Sequence, residues 1–410
     1  MKADTPVSGT SFEERLDALT RFLAAHRPLW EQRPFVEPRV SWEGDYPAVA
    51  AALKALPPKE VDAYLDDPGA IPNMPPRFED LAREAARLSA WPTLRERGPV
   101  PPHPPKGVTA RKWGQIVPFA NLALELAPPD LGGWVDWCSG KGHLARRLAK
   151  GNTAKVVCLE KDPALCASGR ASTLDEGLRI DFERVDVLET EVFPGLGPGA
   201  GVAALHACGA LNQRLLEAAV ATGTSFLAVA PCCYQRIPTP SYRPMSVPGK
   251  RANLDLSRHH LRLASFDEVT SSHKRRTTRR REQSWRLGFD LLQRDSTGRD
   301  EYAPVGPVPT SWLRGSFERF CEELAAREEI SLPPGWSPGE YEAAGEARLD
   351  TARALGLMRG LFRRSIESWL VLDRILFLTE NGYRASAGTF CDRGSTPRNI
   401  AILATRSEEP

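Results

Sequence analysis

The sequence predicts an α/β fold, in which a mostly parallel sheet is covered by helices, together with a helical domain at the N-terminus. Short apolar runs alternate with amphipathic helical patterns between residues 130 and 235, as in doubly wound sheets. Several runs end in an acidic or reactive side chain, and such strand ends converge on one crevice in an open parallel sheet. A glycine-rich turn follows the first run, so this crevice is the predicted ligand site.

The glycine-rich turn lies within residues 134–149, which have the pattern of a strand, a tight turn and a helix. Gly140 and Gly142 allow the backbone to approach a ligand closely, and a helix that starts near His143 presents free N–H groups. The turn lacks the third glycine of a dinucleotide site, and Gly142 stands where a phosphate loop needs Ser or Thr. S-adenosylmethionine has no phosphate and suits this loop better. The cofactor contacts predicted here are Asp136, Cys138, Gly140, Gly142 and His143.

Acidic side chains also follow the next two apolar runs. The run 156–160 ends in Glu160, about 18 residues past Gly142, where a doubly wound fold places the acid that accepts both ribose hydroxyls. Asp186 stands beside Val187 at the next strand end, which suits the edge of an adenine ring. Glu160, Asp186, Val187 and, after the fourth run, His206 complete the predicted cofactor site.

Three motifs resemble those of a known family: Asp136-x-Cys-Ser-Gly-x-Gly-His143, Leu205-His-Ala-Cys-Gly209 and Ala230-Pro-Cys-Cys-Tyr234. They are similar to the S-adenosylmethionine-dependent methyltransferase domain of the methyltransferase-like proteins once described as ribosomal RNA adenine dimethylase domain-containing. The animal glutathione S-transferase C-terminal-domain-containing protein has a similar domain. The tRNA acceptor-stem 2′-O-methyltransferase is a more distant resemblance.

The resemblance covers residues 107–406, because residues 372–378 and 391–401 match the same group. It implies a Rossmann-like class I methyltransferase fold, with a seven-stranded, mostly parallel sheet whose last strand is antiparallel. It also implies S-adenosylmethionine as the cofactor. Between residues 235 and 335 the chain departs from the group, so the substrate cannot be transferred from relatives.

Length and composition limit the class of protein. A chain of 410 residues exceeds one typical core, so two or three compact units are expected. The lack of a long apolar run and the polar start of the chain predict a cytoplasmic protein with no membrane partner. The net charge is only +2, so affinity for nucleic acid requires local clustering of charge. The eight cysteines are expected to be free thiols.

The predicted domains follow from helical patterns and one proline-rich segment. Ser11 and Glu14 have capping-box spacing before an apolar helical pattern, and similar patterns recur at 46–56 and 78–88. Near the C-terminus, helical character is followed by two predicted strands, 374–378 and 398–404. The predicted division is a helical N-terminal domain over 1–97, a proline-rich linker over 98–107, a methyltransferase domain over 108–235 and 340–406, and a basic substrate-recognition insertion over 236–339.

The stretch from 235 to 335 is the most basic and the least regular part of the sequence. Six of the eight residues from Lys274 to Arg281 are basic, and Trp285 follows, a composition that suits phosphate contacts and base stacking. A solvated basic helix face is the alternative interpretation. The predicted substrate contacts are Lys112, in a helix expected to cover the cofactor cleft, and Lys274, Arg275, Arg276, Arg279, Arg280 and Arg281.

Methyl transfer from a sulfonium is a direct displacement, so the protein has chiefly to align the nucleophile. His206 is the candidate base for a hydroxyl target, and a hydrogen bond to the cofactor loop is its alternative role. The Asn/Asp-Pro-Pro-Tyr/Phe motif of amino-group methylases is absent from the fourth strand end, which disfavours adenine N6 methylation. The predicted reaction-site residues are His206, Cys232, Cys233 and Tyr234.

The cysteine pair leaves other chemistries open. Cys232 or Cys233 permits thiolate attack on a pyrimidine, as in C5 methylation. With Cys208 and His206 the pair has the donors of a soft metal site, and packing of small side chains is a third role. No metal is predicted, because adjacent cysteines seldom bind one ion without strain and no C-x-x-C motif occurs.

The sequence therefore favours an S-adenosylmethionine-dependent methyltransferase that acts on tRNA or rRNA, with RNA as its partner and no obligate protein partner evident. A small-molecule or protein methyltransferase is the second hypothesis. A catalytically inactive binding module with the same fold is the third.

Overall fold

The computed structural model describes residues 10–94, 103–105, 107–151, 154–174, 176–266 and 272–407. Most of the predicted proline-rich linker 98–107 lies outside these residues. In chain order the α-helices are α1 (Phe12–Ala25), α2 (Arg27–Glu31), α3 (Trp42–Asp45), α4 (Pro47–Lys54), α5 (Pro58–Tyr64), α6 (Pro76–Leu88), α7 (Ala110–Leu126), α8 (His143–Gly151), α9 (Pro163–Leu174), α10 (Ala210–Thr222), α11 (Val247–Ala252), α12 (Arg258–Ala264), α13 (His273–Thr297), α14 (Phe317–Arg327), α15 (Pro338–Gly360) and α16 (Arg363–Glu380).

All the named strands belong to one seven-stranded sheet with the order β3-β2-β1-β4-β5-β7-β6. Strands β1 to β5 pair in parallel, whereas β7 runs antiparallel to both β5 and β6. This order is that of the class I methyltransferase fold, so the predicted fold class is confirmed. The strands are β1 (Gly133–Trp137), β2 (Lys155–Glu160), β3 (Ile180–Arg184), β4 (Ala200–Cys208), β5 (Phe226–Cys232), β6 (Tyr383–Thr389) and β7 (Ile400–Arg406).

The described residues form two compact units. The first takes its residues from Met1–Ala25, Ala86–Phe266 and Arg363–Pro410, and it contains the whole sheet. The second takes its residues from His26–Ala85 and Asp267–Phe362. This division differs from the predicted one, since α1 packs against α16 in the sheet unit rather than forming a domain with the helices that follow it.

The sheet of the first unit is buried on both faces because helices cover each side. Every residue of β5 is buried, and β4 is buried along its first five residues, as expected for parallel strands without hydrophobic alternation. On one face Trp134 packs edge-on against Phe226 with ring centroids 5.8 Å apart. On the other, Trp137 lies against Phe193 at 5.2 Å.

The second unit is helical, and α13 packs against α15 within it. Its core is a group of aromatic and aliphatic side chains around Trp285, Phe317 and Phe320. The indole N–H of Trp285 donates to Glu342 Oε1 at 2.8 Å, and its side chain is 5% exposed. The prediction that Trp285 is available for base stacking is therefore wrong.

Helix starts were predicted better than the strands of the C-terminal part. The capping box is confirmed, because Glu14 N–H donates to Ser11 Oγ at 3.2 Å and Ser11 N–H donates to Glu14 Oε2 at 2.7 Å. The predicted strand 374–378 is wrong, because these residues lie inside α16. A short apolar run buried on all sides has the same pattern in a strand and in a core helix.

None of the helices in the described part of the chain is long and apolar enough to cross a membrane.

Candidate active site

A cavity of about 310 Å³ lies at the carboxyl ends of the parallel strands. The strand order reverses beside β1, which pairs with β2 on one side and β4 on the other, and open α/β sheets bind ligands at such a switch point. The volume is within the range of small-molecule sites. Six lining residues matter here: Cys138, Glu160, Asp186, Val187, Cys208 and Arg236.

The glycine turn after β1 requires a left-handed backbone. Cys138, Gly140 and Gly142 have φ values of 58°, 59° and 68°. A Cβ on Gly142 would lie 2.6 Å from Cζ of Phe182, whereas a Cβ on Gly140 would have no atom within 4 Å. Gly142 is therefore required by close packing of the turn on β3, and Gly140 leaves open space in front of the turn, as a bound ligand requires.

Asp136 is buried at the end of β1 and anchors the first turn of α8. Its Oδ2 accepts the Ala145 N–H at 3.0 Å, and its side chain is 2% exposed. Burial raises the pKa of Asp136 to about 7. The Ala145 N–H and the charge of Lys112 oppose this pKa shift, and Glu160 adds to it. Lys112 of α7 therefore acts on this site electrostatically.

Glu160 joins the end of β2 to the glycine turn. Its Oε2 accepts the Gly140 N–H at 2.9 Å and its Oε1 accepts the Asp162 N–H at 3.0 Å. Asp186, which follows β3, accepts the Leu188 N–H at 3.1 Å. Both carboxylates line the cavity, and each oxygen retains capacity for a ligand hydroxyl or amine.

His143 is placed differently from the other predicted cofactor contacts. It is buried at the start of α8, it does not line the cavity, and its Nδ1 is hydrogen-bonded by the Arg146 guanidinium. Burial, together with the positive charges of Arg146 and Lys112, lowers the pKa of His143 to about 4.

His206 occupies a β-bulge near the end of β4. Leu205 pairs with Ala230 and Cys208 pairs with Cys232, so β4 contains one residue more than β5 between these two pairs. His206 has a φ of 73°, and its side chain is exposed. Partial desolvation by the surrounding protein lowers its pKa to about 4, and the charges of Lys112 and Arg398 add to that effect. The imidazole is therefore neutral near pH 7, and it is a weaker proton acceptor than an ordinary histidine.

Three thiols meet where β4 and β5 end. Cys208 Sγ and Cys232 Sγ are 3.3 Å apart, and the Sγ atoms of Cys208, Cys232 and Cys233 all lie within 4.8 Å of one another. Hydrogen bonds with the thiols of Cys208 and Cys232 lower the pKa of Cys233. The pKa values of Cys208 and Cys232 are raised in turn, because these two thiols keep their protons while they donate to Cys233. All eight cysteines are free, as predicted.

Tyr234 lies in the protein interior rather than beside an open site. Its side chain is 1% exposed, and its ring lies 5.2 Å from the Arg374 guanidinium carbon.

Arg236 and Gly209 also shape this end of the sheet, although neither was a predicted site residue. Arg236 lines the cavity, and Gly209 has a φ of 56° with its Cβ position only 2.1 Å from the Arg236 carbonyl oxygen. The glycine after His-x-Cys was the available signal.

The predicted basic contacts are not among the residues of this cavity. The segment 274–281 lies on the first turns of α13, in the second unit, so it is part of a helix, as in the alternative interpretation of a basic helix face. Arg280 pairs with Asp350, and Arg281 donates to the Leu313 carbonyl at 3.0 Å. Five basic side chains of the segment remain exposed: Lys274, Arg275, Arg276, Arg279 and Arg281.

The chain is similar to one protein family and to several solved structures. Residues 111–240 match a family model described as a methyltransferase domain. TYW2 of P. horikoshii in complex with MeSAdo is 20% identical over 30% of this chain and 43% of its own, with a TM-score of 0.25. An RNA methyltransferase from Salinibacter ruber with bound S-adenosyl-L-homocysteine is 21% identical over 31% of this chain and 83% of its own, with a TM-score of 0.24.

Magnesium protoporphyrin IX methyltransferase from Synechocystis PCC 6803, with bound SAH, is 11% identical over 85% of this chain and 99% of its own, with a TM-score of 0.32. The chain thus spans less than half the length of the first of these proteins.

The matched domain covers residues 111–240, and the strand order and the cavity at the switch point fit a methyltransferase domain in this part of the chain.

Proposed function

We propose that the protein transfers the methyl group of S-adenosylmethionine to RNA by direct displacement. The observation that carries the choice of RNA is the run of exposed basic side chains on the first turns of α13. Lysine and arginine side chains in such a cluster neutralise backbone phosphates, and they provide most of the sequence-independent affinity for RNA. The segment also begins at a helix N-terminus, which favours anions.

The cofactor is held, in this proposal, by the residues around the 310 Å³ cavity. Glu160 accepts the ribose hydroxyls, and Asp186 with Val187 contacts the adenine ring. Asp136, Cys138, Gly140 and Gly142 contact the methionine part, and His143 supports the turn through the start of α8. The fit rests on the open space before Gly140 and on two carboxylates that line the same cavity.

When bound, S-adenosylmethionine supplies an electrophilic methyl group on a sulfonium. The protein's part is to orient the target atom in line with that methyl group and to exclude competing water. His206, exposed at the bulge of β4, is the proposed acceptor for the proton of a hydroxyl target. Lys112, whose charge acts on Asp136 and His206, borders the same region.

Burial disfavours the covalent route of pyrimidine C5 methylation. A thiolate that attacks a base must reach it, but Cys232 is 4% exposed and its Sγ contacts Cys208. Cys233 is only partly buried, and it is the remaining candidate for that route. Direct transfer is therefore the mechanism that this geometry favours.

The experiment is transfer of a labelled methyl group into total RNA, compared between the wild type and a Lys274→Ala, Arg275→Ala double variant. We expect the variant to bind RNA roughly 10-fold more weakly, and the slope of log affinity against log salt to fall by about 2. Binding of S-adenosylmethionine should not change. Arg314→Ala, which removes another exposed cation of the second unit, is the matched control. Label found only in protein or small molecules would contradict the RNA substrate.

A further inference from the structure

We propose that Cys208, Cys232 and Cys233 form a binding site for one thiophilic metal ion of the Zn²⁺ class, held by three thiolates. The inference is independent of the RNA substrate, because it rests only on side chains of the sheet unit. It also reverses the sequence-based expectation of no metal.

The separation of the three sulfurs fits a single ion. Their Sγ atoms lie within 4.8 Å of one another, and the closest pair, Cys208 and Cys232, is 3.3 Å apart. Tetrahedral zinc with Zn–S bonds of about 2.3 Å holds its sulfurs about 3.8 Å apart. The three thiols therefore need only small side-chain adjustments to contact one ion.

Strand geometry explains how adjacent cysteines contribute to one site. Successive side chains of a regular strand point to opposite faces, so Cys232 and Cys233 would diverge if β5 continued. The strand ends at Cys232, and Cys233 has a left-handed φ of 44°. This turn brings the Cys233 thiol back toward the Cys232 thiol. The left-handed backbone at Cys233 is the strain that the sequence analysis expected of a metal site with adjacent cysteines.

The third thiol is placed by the bulge in β4. The extra residue of the bulge brings Cys208 into register with Cys232 on the neighbouring strand. Backbone hydrogen bonds fix this arrangement, because Gly209 N–H donates to the Cys232 carbonyl at 3.0 Å and Arg236 N–H donates to the Cys233 carbonyl at 2.9 Å. The ligands thus come from two rigidly joined segments, as a preorganised metal site requires.

The donor set narrows the class of ion. Thiolates select zinc, monovalent copper or iron–sulfur clusters, whereas carboxylate and carbonyl oxygens select magnesium or calcium. An iron–sulfur cluster is normally held by four cysteines around several atoms, but here three sulfurs converge on the space of one ion. Three thiolates and a divalent ion carry a net charge of −1, and Arg236, which lines the same cavity as Cys208, offsets it.

The group of three contains no histidine or carboxylate, so it leaves a fourth coordination position open. Three protein ligands with one open position are typical of catalytic rather than structural zinc. Cys208 also lines the cofactor cavity, so the bound ion would lie at the wall of that cavity. Binding displaces the thiol protons to solvent and involves no redox change.

The test uses full-length protein that has been reduced, stripped of metal and titrated with Zn²⁺ against a chromophoric chelator. We expect about one ion per chain, and loss of that binding in Cys208→Ser, Cys232→Ser and Cys233→Ser. Cys391→Ser, which alters a partly buried cysteine outside the cluster, is the matched control and should retain the ion. Thermal melting of the metal-free variants checks that each is folded. If a Cys→Ser variant is not folded, the corresponding Cys→Ala variant is used instead.

Co²⁺ provides a second measurement on the wild type alone. Coordination by the cluster predicts the intense near-ultraviolet thiolate-to-cobalt band, which Zn²⁺ should abolish. The proposal is overturned if the reduced wild type binds no stoichiometric Zn²⁺, or if binding survives all three substitutions. Recovery of a Cys208–Cys232 disulfide with no metal binding after reduction would overturn it as well.

Discussion

Gly142 and Gly140 stand two residues apart in one turn, yet their surroundings differ. The ring of Phe182 is confined between Gly142 and Gly169, where added Cβ atoms would lie 2.6 and 2.3 Å from it. We therefore expect Gly142→Ala to lower the free energy of unfolding by about 2–4 kcal/mol, from overpacking together with left-handed strain. Gly140→Ala adds only the strain, about 1 kcal/mol. Urea denaturation of both variants measures the difference, and equal losses would contradict this account.

The buried carboxyl of Asp136 predicts a pH dependence of stability. Its folded pKa is raised to about 7 from an unfolded value near 3.9, so stability is highest below the unfolded value and falls as pH rises toward 7. Asp136→Asn removes this fall. Between pH 5 and pH 8 the variant should gain on the order of 3 kcal/mol relative to the wild type.

Urea denaturation of the cofactor-free proteins at the two pH values provides the measurement. Lys112 opposes the raised pKa and Glu160 adds to it, so both are left unchanged. Parallel stability profiles for the two proteins would show that Asp136 is ionised in the folded chain.

The sequence alone predicted several of the individual residues that follow the strands and line the cavity. Glu160, Asp186 and Cys208 all line the cavity because parallel strands bring their carboxyl ends together. The burial of Tyr234 could not be predicted, because a left-handed turn at the preceding Cys233 redirects the chain. Backbone conformations of this kind leave little trace in residue type when the residue is not glycine.

Among the elements, α16 carries a buried charge network that holds the segment after β5. Asp373 accepts hydrogen bonds from the hydroxyl of Tyr242 at 2.7 Å and from the Met245 and Ser246 N–H groups at 2.9 and 3.0 Å. The neighbouring Arg374 is 1% exposed and donates to Asn212 at 2.9 Å. Arg374 also donates to the Tyr242 hydroxyl at 3.2 Å, so this hydroxyl links the two buried charges.

We expect Asp373→Ala to lower the free energy of unfolding by about 3–5 kcal/mol, because it leaves the buried donors of Tyr242, Met245 and Ser246 without their acceptor and removes the negative charge linked to Arg374 through Tyr242. Trypsin should then cleave at Arg243, Lys250 or Arg251 in the folded protein. Glu380→Ala is the control, since Glu380 accepts the Val247 N–H from an exposed position near the end of the same helix. Equal protease resistance of the two variants would argue against the network.

Whether a segment is a helix or a strand was predictable for most elements. Their first and last residues were not, and residues 374–378 were predicted as a strand although they lie in a helix. The capping box located the start of α1, and alternation of apolar runs with helical patterns located the strands of the sheet. Residues 374–378 were mistaken for a strand because an apolar run buried on all sides has no diagnostic period. The basic segment 274–281 is helical, and part of its charge is paired internally.

For the whole molecule, the division into compact units was beyond local pattern. Helical periodicity shows that a segment has a buried face, but it does not show which distant segment covers that face. The second unit combines residues within His26–Ala85 with residues within Asp267–Phe362, and the first retains α1 beside α16. The methyltransferase fold itself was predictable, because its strand ends carry recognisable chemistry.

Calorimetric titration with S-adenosylmethionine shows whether the cavity beside Glu160 holds the cofactor. We expect one site per chain in the wild type and affinity at least about 10-fold lower in Glu160→Ala, which loses charge-assisted hydrogen bonds to the ribose. Glu183→Ala, which alters an exposed acid of β3 that does not line the cavity, should bind as the wild type does. No binding by the wild type, or equal binding by Glu160→Ala when melting shows it folded, would mean that Glu160 does not hold S-adenosylmethionine in this cavity.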